Sequence, residues 1–301
     1  MPITQLDQIL EAVRGRPRKR LAAAVAQDAH TLEAVLQAVA GGIVDGILTG
    51  DEPAIRDMGR SEGLDLGPLR IHHEPDPLRA AALAVDLVNA GEADLLMKGS
   101  LSTDRYMRAI LDKDRGLVDP GGILSHVTVV QHPRYPKLLV CGDLAVIPEP
   151  DLAQKLAITA YVIQTLRTLG IPQPKVALVA ASEQVLPKYR HSTEAALIAK
   201  MADRGQFPGA WVDGPMGLDA AVDPEAARIK GLGGPVAGDA DGLVFANIEG
   251  GNVFYKTSTK LAGAEVAAMV VGARVPCILS SRGDSTRTKL CSIALAALAA
   301  G

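Results

Sequence analysis

Aromatic side chains are scarce in this chain: one Trp, five Tyr and three Phe among 301 residues. Because 48% of the residues are nonetheless apolar, Ala, Val, Leu and Ile must build the core, which favours helices packed closely on a parallel sheet. Cysteine is as sparse. Cys141, Cys277 and Cys291 are odd in number, far apart and without the C-x-x-C spacing of a metal or redox site, which suits a reducing cytoplasm. A large charge of one sign is also missing. The formal net charge of -3 excludes a general attraction to nucleic acid or to an anionic membrane, so any anion site must be made by local basic groups. No run of eighteen uninterrupted apolar residues occurs, since Glu265 and Arg274 break the nearest approach at 261–279. The first residues, MPITQ, lack a charged leader followed by an apolar core. A protein of the cytoplasm that neither spans nor binds a membrane is expected.

Absent motifs narrow the chemistry. There is no G-x-x-x-x-G-K-[ST] loop for a nucleoside triphosphate, no G-x-G-x-x-G opening the first helix, and no G-x-S-x-G elbow of a hydrolase. His72 and His73 are neighbours on a strand pattern, point to opposite faces and have no evident third ligand, so they read as surface or packing residues rather than a metal pair.

What is present alternates between strand and helix. Apolar runs at 21–26, 42–48, 69–72 and 94–97 read as strands, and helical periodicity follows at 32–39 behind the cap Asp28 and at 77–89. Asp151 can cap a helix to about 169, ahead of a strand at 175–180, and Pro172 and Pro174 fall in the connection. Later strands are expected at 242–246, 266–270 and 275–279, with a closing helix at 285–300. Asp213-Gly-Pro and 238–241 read as turn chemistry. Alternation of this kind implies a parallel sheet. The length allows two α/β lobes of about 150 residues, and the proline-flanked stretch at 140–150 marks their boundary.

Two strand ends carry phosphate-like chemistry. The segment PCILSSRGDSTRTKL at 276–290 empties an apolar strand through a polar turn into a helix, where free amides, Ser281, Ser285 and Arg282 can donate to an anion. The bland alternative is that Asp284 or Ser285 only caps the helix and Arg282 is solvated. The segment LLMKGSLSTD at 95–104 places Lys98, Ser100 and two further hydroxyls ahead of a helix with Arg105 and Arg108. Open α/β sheets bind ligands beyond their carboxyl strand ends, so both turns can serve one cleft. Asn252 and Lys256 share one helical face and can face a ligand, although Gly250 and Gly251 alone suit a tight turn. Ser125 and His126 precede a further apolar strand.

Together these segments resemble the phosphate acetyltransferase and phosphate butyryltransferase family, closer to the butyryltransferase branch. The blocks are MKGSL at 97–101, GILSHV at 122–127, PDL at 150–152, PKVA at 174–177, VDGP at 212–215, VAGDA at 236–240, EGGNVFYK at 249–256 and SRGDS at 281–285. The resemblance implies a two-lobed parallel-sheet α/β/α fold like that of isocitrate and isopropylmalate dehydrogenases, with the cleft between lobes and a homodimer. It places residues 1–140 and 278–301 in one lobe and 141–277 in the other. It also implies reversible conversion of a short acyl-CoA and inorganic phosphate into acyl phosphate and CoA. CoA is then a substrate rather than a bound cofactor, and no metal is needed. Arg282 and Arg108 are assigned to phosphate or acyl phosphate, Ser281 to the oxyanion or thiolate, and Lys98, Ser100, Ser125, Asn252, Lys256 and Ser285 to substrate binding.

One departure matters. The acetyltransferase pattern has an aspartate seven residues after the motif serine, proposed as the base for the CoA thiol, where this chain has Thr288. Asp284 or His126 is the substitute candidate. Two other readings follow: a catalytically lapsed acyl-CoA or phosphate binder, and a decarboxylating dehydrogenase of the same fold, which would need a carboxylate cluster that is not seen.

Overall fold

The computed structural model describes residues 2–280 and 283–301. Their contacts group into two units, Asp7–Leu124 with Ala267–Gly301, and Ser125–Val266 with the chain's start up to Leu6. The sequence drew its breaks at 140/141 and 277/278. The contact division falls earlier because Ser125–Gln131 pairs antiparallel with Leu139–Gly142, so the two segments stay in one unit.

The first unit is built from α1 (Leu6–Val13), β1 (Lys19–Ala24), α2 (Ala29–Ala40), β2 (Val44–Gly50), α3 (Glu52–Ser61), β3 (Arg70–His73), α4 (Pro77–Asn89), β4 (Leu95–Lys98) and α5 (Thr103–Ile110). The second unit follows with β5 (Ser125–Gln131), β6 (Leu139–Gly142), α6 (Leu152–Thr168), β7 (Lys175–Val179), α7 (Arg190–Asp203), β8 (Trp211–Met216), α8 (Leu218–Val222), α9 (Pro224–Ile229), β9 (Gly242–Val244) and α10 (Ile248–Lys260). The chain then returns through β10 (Glu265–Val271), which enters the first unit at Ala267, to β11 (Cys277–Ile278) and α11 (Thr286–Ala299).

Within the first unit the strand order is β3-β2-β1-β4-β11-β10, and within the second it is β5-β6-β9-β7-β8. Within each unit pairing is parallel except for β5 with β6 and β10 with β11, so the sheet is mostly parallel, as the alternation of strand and helix implies. Both exceptions are short returns, and neighbouring antiparallel strands need no helical crossover. The core is aliphatic, as scarce aromatics require. Leu21, Ala22, Ala23 and Ala24 of β1 are fully buried, and α4 covers the sheet with Ala80, Ala84, Val85 and Leu87. In the second unit Phe245 and Phe254 pack with ring centroids 5.3 Å apart beside Leu144 and Leu243.

Two further readings are corrected. Asp213, Gly214 and Pro215 lie inside β8 rather than in a turn, and the β7–β8 register shift between Ala177 and Val179 accommodates them. Gly250 and Gly251 lie within the first turns of α10 rather than before it. A Cβ at Gly251 would meet Asp143 O at 2.6 Å, so close approach of the helix to the loop after β6 requires the glycine.

Candidate active site

Three strand ends of the first unit lie side by side. Ala24 of β1 is in register with Lys98 of β4, and Met97 of β4 with Ile278 of β11. From β1 the chain runs outward to β2 and β3 and then returns to β4 on the other side, so the order reverses between β1 and β4. Such a switch point, beyond the carboxyl strand ends, is where open α/β sheets hold ligands. Each strand also empties into a capped helix. Asp28 accepts from Thr31 N at 2.8 Å to start α2, Ser102 accepts from Arg105 N at 3.4 Å to start α5, and Ser285 accepts from Thr288 N at 3.2 Å to start α11. The three helix starts direct their positive dipole ends toward the same strand edge. Ser285, not Asp284, is therefore the cap of α11, and Asp284 is half-buried just before it.

The β4 turn is tied to the end of β1. Gly99 N donates to Ala24 O at 2.9 Å, while Ser100 donates to Val25 O through its backbone N at 2.8 Å and its hydroxyl at 3.0 Å. Val25 holds φ at +57°, which is strained for a β-branched residue and costs about 1–3 kcal/mol. Lys98 is buried, and its ammonium donates to Gly99 O at 3.2 Å and Leu101 O at 3.0 Å. It thus shapes the turn as well as charging it. Arg108 stands on the exposed surface near the end of α5, about 8 Å along the axis from the helix start, and pairs with Asp104 at 3.2 Å. Tyr106 of the same helix is fully buried. Its hydroxyl donates to Leu96 O at 3.2 Å, and burial raises its pKa well above the ordinary value.

Ser281 and Arg282 lie outside the described residues. The described residues of the first unit add groups that the sequence reading missed. Lys289 is buried, with its ammonium 3.1 Å from Thr31 Oγ1, 3.3 Å from Ser280 Oγ and 3.8 Å from Asp28 Oδ1. A lysine directly before the apolar stretch of α11 was the signal, because a cation near a helix start opposes the dipole. Gln27 Oε1 and Asp28 Oδ2 are buried without a hydrogen-bond partner among the described residues.

The second unit assembles a separate polar group. Asp143, buried and unmentioned by any sequence motif above, accepts from the Ser125 hydroxyl at 2.9 Å and from His126 N at 3.0 Å through one oxygen. Through the other it accepts from Ala145 N at 2.7 Å and Val146 N at 2.8 Å. His126 does not precede the strand: it is the second residue of β5, buried, with Nδ1 3.3 Å from Thr128 Oγ1. Asn252 donates to Leu144 O at 3.3 Å, and Lys256, one turn further along α10, is exposed with its ammonium 4.7 Å from the Tyr255 ring centroid. Ser125, His126 and Asn252 thus gather around the 143–146 turn, whereas Lys98, Ser100, Ser285 and Lys289 gather at the first unit's strand edge.

Burial pushes the Cys277 thiol up to about 12 and raises the Cys141 thiol also, so neither presents a thiolate near neutral pH. Among the described residues no group of three or more His, Cys, Asp or Glu side chains is placed to hold a metal ion. None of their helices is long and apolar enough to cross a membrane.

Residues 72–297 match the family described as phosphate acetyl/butaryl transferase. A phosphate butyryltransferase from Clostridium acetobutylicum is 42% identical over 299 residues, 99% of each chain. A phosphate acetyltransferase from Rhizobium meliloti is 40% identical over 98% of this chain and 93% of its own. The crystal structure of a branched-chain phosphotransacylase from Enterococcus faecalis superposes with a TM-score of 0.80 at 30% identity, covering 94% of this chain and 99% of that one.

Proposed function

The chain belongs to the phosphate acetyl/butaryl transferase family, and from that premise we propose that it interconverts a short-chain acyl-CoA and inorganic phosphate with acyl phosphate and CoA. The observation that carries this reading to the structure is the edge where β1, β4 and β11 end together, each opening a capped helix. A phosphate dianion suits that edge because oriented amides and helix starts stabilise it without a resident metal.

The step is direct transfer. A phosphate oxygen attacks the thioester carbonyl carbon, the C–O bond forms, and the tetrahedral oxyanion collapses with cleavage of the C–S bond. The proton of hydrogen phosphate leaves with the thiolate to give CoA, so the forward direction needs no strong base. Binding both substrates together replaces a rare encounter by an aligned one, and fixed donors meet the charge as it develops. In this reading Arg282 and Arg108 bind phosphate and Ser281 donates to the oxyanion or departing thiolate. Lys98 and Ser100 support the phosphate turn, with Ser285 at the adjoining helix start. Ser125, Asn252 and Lys256 contact the acyl-CoA, and Asp284 or His126 serves as the proton carrier in the reverse direction. The expected homodimer rests on the family resemblance, and sedimentation velocity decides it.

Thiol release from butyryl-CoA, measured with and without phosphate, tests the reading. Phosphate-dependent release supports it, phosphate-independent release makes the protein a hydrolase, and CoA binding without turnover makes it a lapsed member. Acyl-CoA esters of two to five carbons then rank the acyl preference. Replacement of Arg282 by alanine should lower turnover by about 100-fold or more in a folded protein, and unchanged turnover removes it from the centre.

A further inference from the structure

The start of α11 contains a charge that the transfer step above does not use. Lys289 is 2% exposed, in a helix of which nine of fourteen residues are buried, so it is not a surface lysine. A cation at this place is disfavoured twice, by loss of water and by the positive end of the helix dipole. Among the described residues its compensation is thin. Two neutral hydroxyls lie at 3.1 and 3.3 Å, and the Asp28 carboxylate at 3.8 Å is beyond hydrogen-bond length. For stability alone, an apolar side chain of similar volume would serve as well or better.

The partners show what the charge joins. Ser280 follows the end of β11, whereas Thr31 and Asp28 belong to the first turn and cap of α2, so one ammonium links a strand exit to the start of a neighbouring helix. Thr286 makes a second link between the same helices, donating to Glu33 Oε2 at 2.8 Å with His30 Nδ1 3.3 Å from its hydroxyl oxygen. Ser292 accepts from Ala268 N at 3.0 Å and fixes α11 to β10. Lys289 is also the residue after Thr288, and Ser280 is the residue before Ser281.

We propose that Lys289 is a positioning residue of the acyl-transfer centre. Its ammonium holds the Ser280 hydroxyl and the starts of α2 and α11 in one fixed arrangement, so that these two helix starts meet phosphate from a set direction. This inference rests on the phosphate acyltransferase reading. Displacement of reacting groups by about an ångström can cost about 100-fold in rate.

The test compares wild type with Lys289→Met, Lys289→Arg, Ser280→Ala and Thr31→Val in phosphate-dependent thiol release, with both substrates varied and thermal melting followed. Lys289→Met should lose about 100-fold in kcat, with KM for butyryl-CoA within about threefold. Ser280→Ala and Thr31→Val should each lose about 3- to 10-fold in the same parameter, and Lys289→Arg should recover part of the loss. A purely structural lysine would instead lower the melting temperature and leave kcat at the wild-type value, which overturns the proposal. If Lys289→Met does not fold, wild-type kcat in both Ser280→Ala and Thr31→Val overturns it, and a parallel fall in both supports it. Wild-type protein without phosphate-dependent release refutes the acyltransferase reading itself, whatever the variants do.

Discussion

Replacing Gly99 by alanine tests whether the crevice between β1 and β4 is as tight as its hydrogen bonds imply. A Cβ at this position would lie 2.3 Å from Val25 O and 2.8 Å from Ala24 O, both backbone atoms. A flexible side chain could swing away, but these carbonyls are held, Ala24 O by Gly99 N and Val25 O by the amide and hydroxyl of Ser100. Relief therefore parts the Gly99–Ser100 turn from the end of β1. Overpacking of a tight site costs about 1–3 kcal/mol, and each weakened hydrogen bond adds up to about 1 kcal/mol. Against this stands a gain of about 0.4–1 kcal/mol from the stiffer unfolded chain. A net destabilisation of about 3 kcal/mol is expected. Urea unfolding with an unchanged m-value measures it, and Gly233→Ala, where a Cβ meets nothing within 4 Å, is the control. Phosphate-dependent thiol release should fall by about tenfold or more because Ser100 and the Lys98 contacts move with the turn. Stability within about 0.5 kcal/mol of wild type, the range of an ordinary surface change, would refute the reasoning.

Asp143→Ala should destabilise the protein by about 3–5 kcal/mol, because it leaves the Ser125 hydroxyl and three amides without their acceptor. A loss below about 1 kcal/mol in urea unfolding would show that these groups find other partners. His191 gives a pH signature: burial first, then the Lys155 ammonium 2.8 Å from Nδ1, hold its pKa below the ordinary value. The neutral imidazole therefore contributes fully above about pH 6.5, and its contribution is lost as pH falls through the lower folded value. The melting-temperature difference between wild type and His191→Gln should shrink from pH 7.5 toward 5, and a constant difference would sink this account. In the reverse reaction Thr288 offers no carboxylate to the CoA thiol, so with Asp284 or His126 as the proton carrier the rate at limiting CoA should be flat from about pH 6.5 upward. A rate that climbs with the thiolate fraction up to about pH 8.5 would show that neither residue takes the thiol proton.

Much of the fold was legible because several of its helices announce their starts. Asp28 before α2, Pro77 at the head of α4, Asp151 before α6 and Ser285 before α11 are local signals, and the structure uses each one. Elements without them were missed. The N-cap of α7 is Tyr189, which makes no side-chain capping bond, and α1 is only eight residues long. In β8, pairing with β7 overrides the turn preference of Gly214-Pro215, which is tertiary context outweighing propensity. The polar turns of the site were readable for a similar reason, since strand, hydroxyl-rich turn and helix are contiguous. Where their side chains point was not. Lys98 and Lys289 look like surface residues until the helices that bury them are in place, and Asp143 meets Ser125 and His126 only through pairing of strands seventeen and eighteen residues apart.

These hidden groups bear on how a chain of net charge -3 holds a small anion. Exposed basic groups such as Arg108 attract phosphate weakly, because water and salt screen them. Lys98 and Lys289 differ: the Lys98 ammonium is oriented by carbonyls just beyond its own strand and the Lys289 ammonium by the hydroxyls of Thr31 and Ser280, before any ligand arrives. Their desolvation is borne by folding rather than by binding, so under the proposed function these groups need no reorganisation when phosphate binds. The three capped helix starts act in the same fixed way. The structure thus supports a division of labour in which buried, prearranged charge sets the field at the strand edge. On the proposal made above, that is why a lysine one residue beyond Thr288 matters to the arrangement of the α2 and α11 starts.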